Sequence, residues 1–342
     1  MNEILAEREV FQAAAACTHL SRSARALYQR LAEASTRMRY LLSQCQVIVR
    51  VTEEPSVCRR EMTDGQETIV LSAELLSREQ RLAQQPVLLC ENLDDCDFLE
   101  WLGVIYGTQR RLPDRIQLST RNGGGSTTAS VYEDILKAKA ELCLCICDSD
   151  LKYEGDTSEG DTARALRAAH VLYDPTLACL HVLRCQEAEN LIPASILADV
   201  YISDVQKLNA VPDLDNIQSN RTHQLWRYYD IKNGIRVFEF VSSANQRYVA
   251  SWSRVFGGSS DIVEHNCAAC AKYRACERKS DCTAYLARGF GSTVLRDTVT
   301  GFFTKRSCAE IIRRLPQAIA GEWEIVGRLV WAWGMAGCRM AA

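Results

Sequence analysis

The sequence predicts an α/β protein in which helices flank a mostly parallel, four-stranded sheet. Strand-like runs end near Glu91, Thr120, Cys147 and Leu183. The first three ends are roughly thirty residues apart, which is the length of one strand–helix–strand unit. Segments with helical composition fill the intervals, at Asp95–Leu102, Thr127–Ala140 and Thr162–Leu172. Right-handed crossovers through these helices would make the strands parallel.

The chain before this unit, residues 1–84, is predicted to be a helical segment with a small β element. Residues 2–46 are rich in Ala, Leu, Glu and Arg and contain no Pro or Gly, so we expect two helices with a break near 18–23. The runs Val47–Val51 and Glu67–Leu71 are typical of strands. The central unit is assigned to residues 85–205.

Residues 206–342 are predicted to form an α+β C-terminal domain that binds zinc. Arg236–Val241 alternates in the manner of a strand, and the chain from Ser307 onward has helical composition. Four thiols suited to a structural Zn²⁺ follow the predicted strand, and they are Cys267, Cys270, Cys276 and Cys282. Their spacing is also compatible with cysteines that bind no metal, or with an iron–sulfur cluster.

Composition narrows the classes of function. The formal net charge is −3, so nucleic acid would have to be contacted by a local patch or through metal ions. The first residues lack the basic and apolar regions of a signal peptide, which predicts a cytoplasmic protein whose sixteen cysteines are mostly reduced. The stretch closest to a membrane span, Ile325–Cys338, is short and contains Arg328, so no membrane association is expected.

Acidic side chains follow three of the four predicted strands, at the edge where open α/β sheets bind ligands. Carboxylates brought together there repel one another, and hard divalent cations such as Mg²⁺ or Mn²⁺ relieve this repulsion. The side chains concerned are Glu91, Asp95, Asp148, Asp150, Glu187 and Glu189. The pattern predicts a metal-dependent phosphoryl-transfer site. The alternative is that the acids merely cap helices and solvate loops.

The residue types suggest individual roles. Asp148 and Asp150 leave the end of an apolar strand and could reach one metal, or one each of a metal pair. Glu91 is a candidate metal ligand or general base, and Glu187 and Glu189 would close the far side of the site. The candidate contacts to a substrate phosphate are Lys152 and Arg184.

The order of these motifs resembles a known family. A strand followed by Glu91-x3-Asp95, and a later strand followed by Asp148-x-Asp150, is similar to the Toprim pattern of topoisomerases, bacterial primases and OLD-type nucleases. The resemblance covers about residues 85–200. It implies a Toprim-like catalytic domain in which Glu91 is a metal ligand or general acid/base. It also implies that Asp148 and Asp150 bind Mg²⁺.

Two further features resemble OLD-like and related bacterial defence Toprim nucleases. They are the Gly-rich turn at 121–128 and the ending Glu187-x-Glu189-Asn190. This branch implies a nuclease acting on DNA or RNA in an anti-phage system, regulated by a partner ATPase of SMC or ABC type, since the chain has no Walker motif. The chain departs from the family at Asn92, where a glycine is usual, and in having no third acid at the same spacing after Asp150.

Two other functions fit the same sequence. A catalytically inactive Toprim-fold subunit would act as a sensor or interaction module, and the sequence is compatible with a monomer or a homo-oligomer. A cofactor-binding protein would use Gly123–Gly125 for a phosphate group. That turn lacks the Gly-x-Gly-x-x-Gly spacing and follows the second strand rather than the first.

Overall fold

The computed structural model describes residues 8–42, 47–63, 66–112, 115–220, 222–241, 243–257 and 284–336. The strands in these ranges are β1 (Val47–Thr52), β2 (Cys58–Thr63), β3 (Gln66–Ser72), β4 (Val87–Cys90), β5 (Arg115–Ile116), β6 (Ser119–Asn122), β7 (Cys143–Cys147), β8 (Ala178–Val182), β9 (Gly234–Arg236), β10 (Tyr285–Arg288) and β11 (Met335–Ala336). The α-helices are α1 (Arg8–Ala16), α2 (Arg22–Leu42), α3 (Ala73–Arg78), α4 (Leu93–Gln109), α5 (Thr128–Ala138), α6 (Asp161–Leu172), α7 (Ala194–Val200), α8 (Val205–Leu208), α9 (Val211–Ser219), α10 (Val237–Val241), α11 (Gln246–Phe256), α12 (Val294–Gly301), α13 (Cys308–Arg313) and α14 (Gln317–Gly334).

The central sheet contains four parallel strands in the order β6–β4–β7–β8. Helices α4, α5 and α6 form the crossovers between successive strands. Strands β4 and β7 are buried along their whole length, which their uninterrupted apolar sequences favour. Strand β6 lies at the edge of the sheet, and its polar side chains are mostly exposed. The predicted four-stranded parallel α/β sheet is confirmed.

One face of this sheet packs against α5 and α6. Cys143, Cys145 and Cys147 lie on this face in a buried cluster with Tyr132 of α5 and Leu166 of α6. Alternate residues of a strand point to the same face, so the three thiols share one hydrophobic layer. Burial raises the pKa of each of these three thiols, which keeps them protonated as small apolar side chains.

The opposite face is covered by α4 and by segments from the C-terminal part of the chain. Leu88 and Leu144 belong to one buried cluster with Phe98 of α4, with Val330 of α14 and with Trp226. A parallel sheet needs cover on both faces, and here two widely separated parts of the sequence supply it. The carboxyl edge of the sheet lies between these two layers.

Helices α4 and α14 approach each other closely because glycines remove side chains where they cross. A Cβ atom on Gly103 would lie 2.9 Å from Val330 Cγ1, and one on Gly327 would lie 2.7 Å from the carbonyl oxygen of Leu102. Both distances are shorter than the contact distance of carbon atoms. The close packing of these two helices therefore requires glycine at both positions.

The N-terminal segment contains the predicted helices and the predicted β element. Helices α1 and α2 pack on each other through Phe11 and Ala32, and the break between them falls within the expected range. Strands β1 and β3 pair in parallel, and β2 pairs with β3 in the antiparallel direction, which gives a three-stranded sheet.

The C-terminal part corrects one prediction. Arg236–Val241 was predicted to be a strand, but only β9 extends to Arg236, and α10 follows it. Val237 and Phe240 are both buried in the main cluster, and a spacing of three residues places both on one side of a helical turn. Packing has therefore overridden the β propensity of this run.

The remaining C-terminal predictions differ in their outcome. The chain from Ser307 onward is mostly helical in its described part, as predicted, with α13 and α14, and it ends in the short strand β11, which pairs with β5. The four cysteines of the zinc prediction, Cys267, Cys270, Cys276 and Cys282, lie outside the described residues.

Candidate active site at the carboxyl edge of the sheet

The ends of β4, β7 and β8 bring the predicted carboxylates to one edge of the sheet. Glu91 directly follows β4, Asp148 directly follows β7, and both are half-buried. Glu187 and Glu189 lie in the turn after β8, with 7% and 2% of their surface exposed. Their proximity is seen in the pKa of Asp148, which burial and then Asp95, Glu189 and Glu187 raise well above its usual range.

Local hydrogen bonds fix the backbone around Glu91. Its carbonyl oxygen accepts hydrogen bonds from the N–H groups of Gly124 and Gly125, at 3.0 and 3.2 Å. Both glycines have positive φ angles, 76° and 63°, which other residues rarely adopt. Because these N–H groups are already bonded, the Gly-rich turn supports the acidic loop and is poorly suited to cradle a phosphate.

Asp95 supports the alternative that some of these acids cap helices. The Asn92 N–H donates a hydrogen bond to Asp95 Oδ2 at 2.9 Å, so this carboxylate closes the first turn of α4. Burial nevertheless raises the pKa of Asp95, because the hydrogen bonds with Asn92 and the charge of Lys232 compensate it only in part. Asp95 is thus a structural cap that also adds negative charge to the site.

Asp148 and Asp150 have different neighbours. Asp148 Oδ1 accepts a hydrogen bond from the Ala188 N–H at 2.9 Å, which ties the end of β7 to the turn after β8. Asp150 is exposed, with a φ angle of 58° in the left-handed region. Its carboxylate lies against Gly160, where no Cβ atom would fit. The Asp-x-Asp pair therefore extends from the buried side of the site to its rim.

Lys232 places an ammonium group among these carboxylates. Its Nζ atom lies 3.2 Å from Glu187 Oε2 and 2.9 Å from Glu189 Oε1. Burial alone would lower the pKa of Lys232, but Glu189 and Glu187 outweigh burial and raise it. The N–H groups of Ile231 and Lys232 also donate to Glu187 Oε1, at 3.0 and 3.3 Å. The lysine is therefore charged and held at the buried side of the site.

The sequence analysis did not identify Lys232 as a site residue. It lies 45 residues beyond Glu187, in a turn that precedes β9. Asn190 brings this segment to the site, because its Nδ2 atom donates to the carbonyl oxygens of Trp226 and Tyr229, at 2.7 Å each. The Asn-Gly pair after Lys232 signals a turn, but nothing in the sequence indicates which acids that turn would meet.

Burial and crowding raise the pKa values of several acids toward neutral. Burial raises the pKa of Glu91 to about 7, with Asp150 adding to the effect and Lys232 opposing it. Burial and Glu189 raise the pKa of Glu187 to about 8, and burial raises the pKa of Glu189 to about 6. Groups that exchange protons near neutral pH are common at functional sites.

The donor set suits a hard divalent cation. Glu91 Oε1 and Glu189 Oε2 are buried and have no hydrogen-bond partner among the described residues. Buried acceptors without partners are unfavourable, and carboxylate oxygens are ligands that Mg²⁺ and Mn²⁺ prefer. In their present orientation, however, no three His, Cys, Asp or Glu side chains of the described ranges could hold one ion together. Metal binding would require some of these carboxylates to rotate.

The two candidate phosphate contacts lie in different places. Burial raises the pKa of Asp150, and the positive charge of Lys152 partly offsets this rise. Both residues line an open cleft of about 530 Å³. The aromatic residues of this cleft are Tyr153, Tyr228 and Tyr248. Arg184 is exposed and is not among the lining residues of the cleft. The cleft and the acidic edge meet at Asp150.

Comparisons with protein-family models, with curated proteins and with solved structures give no match to this chain. The resemblance to Toprim nucleases therefore depends on the residues given above, together with a parallel sheet that is compatible with that fold. In the part of the chain that the structure describes, every helix is too short or too polar to cross a bilayer.

Proposed function

We propose that this protein is a Mg²⁺- or Mn²⁺-dependent nuclease that hydrolyses phosphodiester bonds in DNA or RNA. The observation that supports this most is the convergence of carboxylates from three strand ends near the half-buried Lys232. Such an excess of acid is unfavourable without added cations, and phosphodiester hydrolysis commonly uses divalent ions held by carboxylates. The order of the motifs, which resembles OLD-like Toprim nucleases, supports the same reaction.

In this proposal Glu91, Asp148 and Asp150 would hold the metal, which supplies a Lewis acid for activating water and for the charge on the leaving oxygen. Without a metal, burial raises the pKa of Glu91 to about 7, and a bound cation would lower this pKa, so that Glu91 would ligate the metal as a carboxylate. Lys152 at the rim orients the substrate phosphate. The tyrosines of the cleft can stack on an adjoining base. We do not extend the phosphate role to Arg184, because its side chain lies outside the cleft.

The same resemblance implies a partner ATPase of SMC or ABC type and a role in anti-phage defence. A net charge of −3 suits a nuclease whose substrate is held by metal ions or presented by a partner. A structural Zn²⁺ bound by Cys267, Cys270, Cys276 and Cys282 is part of this proposal.

Cleavage assays with matched variants test the proposed reaction. Purified protein is incubated with DNA and RNA in the presence of Mg²⁺ or Mn²⁺, alongside Glu91→Gln and Asp148→Asn. We expect each variant to lose at least about 100-fold in rate, which is typical for removing a general acid/base or a metal ligand. Glu324→Gln is the control, because Glu324 pairs with Arg110 on an exposed part of α14. Equal cleavage by all four proteins would contradict the assignment.

The second candidate is a catalytically inactive subunit with the same fold. Two observations favour it, namely the ammonium of Lys232 within the acidic cluster and the orientation of the carboxylates, in which no described trio could hold an ion. Here the lysine would be the permanent counter-ion of the site. Absence of both Mn²⁺ binding and metal-dependent cleavage, together with a stable complex with another protein, would support this candidate.

A further inference from the structure

The acidic site divides into two halves, of which one contacts the Lys232 ammonium directly and the other senses its charge only at longer range. The lysine half consists of Glu187, Glu189 and Lys232, and the open half consists of Glu91, Asp148 and Asp150. In the lysine half, both oxygens of Glu187 and one oxygen of Glu189 already have donors from Lys232 or the neighbouring backbone. These two glutamates are also almost completely buried.

The backbone of Lys232 is fixed by its neighbours. Its carbonyl oxygen accepts a hydrogen bond from the Gly291 N–H at 3.0 Å, and the carbonyl oxygen of Ile231 accepts one from the Phe290 N–H at 2.8 Å. The antiparallel pairing of β9 with β10 continues this contact. The ammonium is thus delivered by an ordered part of the fold.

The open half has the opposite character. Glu91 and Asp148 are half-buried and Asp150 is exposed, so an ion can reach them from solvent. In the part of the chain that the structure describes, Glu91 Oε1 has no hydrogen-bond partner, and the open cleft begins at Asp150. Two carboxylates of this half come from different strand ends, which allows them to approach an ion from different sides.

We propose that Lys232 takes the place of a second divalent cation, so that the site binds one Mg²⁺ or Mn²⁺ per chain, in the open half. This inference depends on the proposed function for the presence of a metal and adds to it the number and position of the ions. An ammonium within 3.2 Å of both glutamates neutralises the negative charge that would otherwise attract a second cation. It also repels that ion at short range in a buried site.

Counting bound Mn²⁺ tests the inference without measuring cleavage. The full chain is titrated with Mn²⁺ by calorimetry, and free Mn²⁺ is followed by electron paramagnetic resonance. We expect one Mn²⁺ in the wild type and two in Lys232→Met, because the variant frees the carboxylates of the lysine half. Lys207→Met is the matched control, since Lys207 is a partly exposed lysine paired with Asp297 at 3.3 Å, and it should still bind one.

A second pair of variants covers the case in which Lys232→Met does not fold. Glu189→Gln should keep one Mn²⁺ and weaken it by no more than the roughly 10–100-fold that is typical of changes outside the ligand set. Asp148→Asn should weaken Mn²⁺ clearly more than Glu189→Gln does, because it removes a direct ligand. Similar losses in both variants would overturn the inference.

The outcomes separate this inference from the proposed function. Two Mn²⁺ ions in the wild type, or one in both the wild type and Lys232→Met, would overturn the inference and leave the nuclease proposal intact. No Mn²⁺ in the wild type, together with no cleavage, would overturn both.

Discussion

Partly buried ionisable side chains in this protein differ in whether a neighbouring group of opposite charge stabilises their charged form. Lys232 has two carboxylates within 3.2 Å, whereas the buried Nε2 atom of His181 on β8 has no hydrogen-bond partner in the ranges that the structure describes. Burial, and then the positive charges of Arg184 and Arg167, lower the pKa of His181 to about 4. The imidazole is therefore neutral in the folded protein over most of the pH range in which it would otherwise be charged.

His181 should make the free energy of unfolding depend on pH. A histidine in the unfolded chain has a pKa near 6.5, so between about pH 6.5 and 4 the unfolded state binds a proton that the folded state does not. Stability from this group is complete above this window and falls as the pH falls through it, by about 3 kcal/mol in total. Urea unfolding of wild type and His181→Leu at pH 7.5 and pH 4.5 measures the effect.

Between pH 7.5 and pH 4.5, the free energy of unfolding of His181→Leu should fall less than that of the wild type. The difference between the two falls should be most of the total of about 3 kcal/mol. The control is His19→Leu, because His19 is exposed and should leave the difference between the two pH values as it is in the wild type. The same acid sensitivity in all three proteins would show that His181 does not carry this effect.

The acidic side chains of the site were predictable at the residue scale, but their counter-ion was not. Glu91 and Asp148 directly follow apolar strands, so their position at the sheet edge follows from the sequence of each strand alone. Lys232 is placed by contacts of Asn190 with two backbone carbonyl groups far along the chain. A sequence pattern predicts where strands end, but it does not predict hydrogen bonds between residues that are far apart in the chain.

At the scale of elements, a substitution at the crossing of α4 and α14 can test whether the close packing of these helices requires glycine. Gly327→Ala would place a Cβ atom 2.7 Å from the carbonyl oxygen of Leu102, which is backbone and cannot rotate away. We expect a loss of about 1–3 kcal/mol in the free energy of unfolding, as for other overpacked sites. Urea denaturation measures the loss.

Gly321→Ala is the matched control on the same helix. Apart from the backbone of its own helix, a Cβ atom at Gly321 would have no heavy atom of the described residues within 4 Å, so alanine should only improve helix propensity, by up to about 1 kcal/mol. The two substitutions should therefore change stability in opposite directions. Destabilisation of equal size by both would mean that the close approach of α4 and α14 does not determine the result.

Elements with a strong apolar period were predictable, and those defined by tertiary packing were not. The sequence of β7 requires a strand buried on both faces, and the structure has one. Strand β2 was not predicted, because Arg59, Arg60 and Glu61 give it no apolar alternation. It is held by its pairing with β3 and by ion pairs such as Arg60 with Glu67, at 2.9 Å. The error at α10 has the same origin, since burial of Val237 and Phe240 decided its conformation.

At the scale of the whole molecule, one hydrophobic cluster extends across the predicted boundary between residues 205 and 206. Leu88 and Leu144 of the sheet share this cluster with Trp226, Phe303 and Val326, which lie beyond the boundary. Each large buried apolar side chain contributes about 1.5–3 kcal/mol relative to exposure. A few such side chains therefore equal the net stability of about 5–15 kcal/mol that a folded domain has.

We therefore expect that a chain ending at residue 205 does not fold on its own, because the central sheet and α4 would lose the C-terminal part of the hydrophobic cluster that they share. Far-UV circular dichroism during heating and amide hydrogen exchange would show a non-cooperative transition and weak protection of β4 and β7. A chain ending at residue 336 is the control, because it retains α14 and the rest of the cluster. Cooperative unfolding of the shorter chain, with protected amides in both strands, would show that the central sheet is stable without the C-terminal helices.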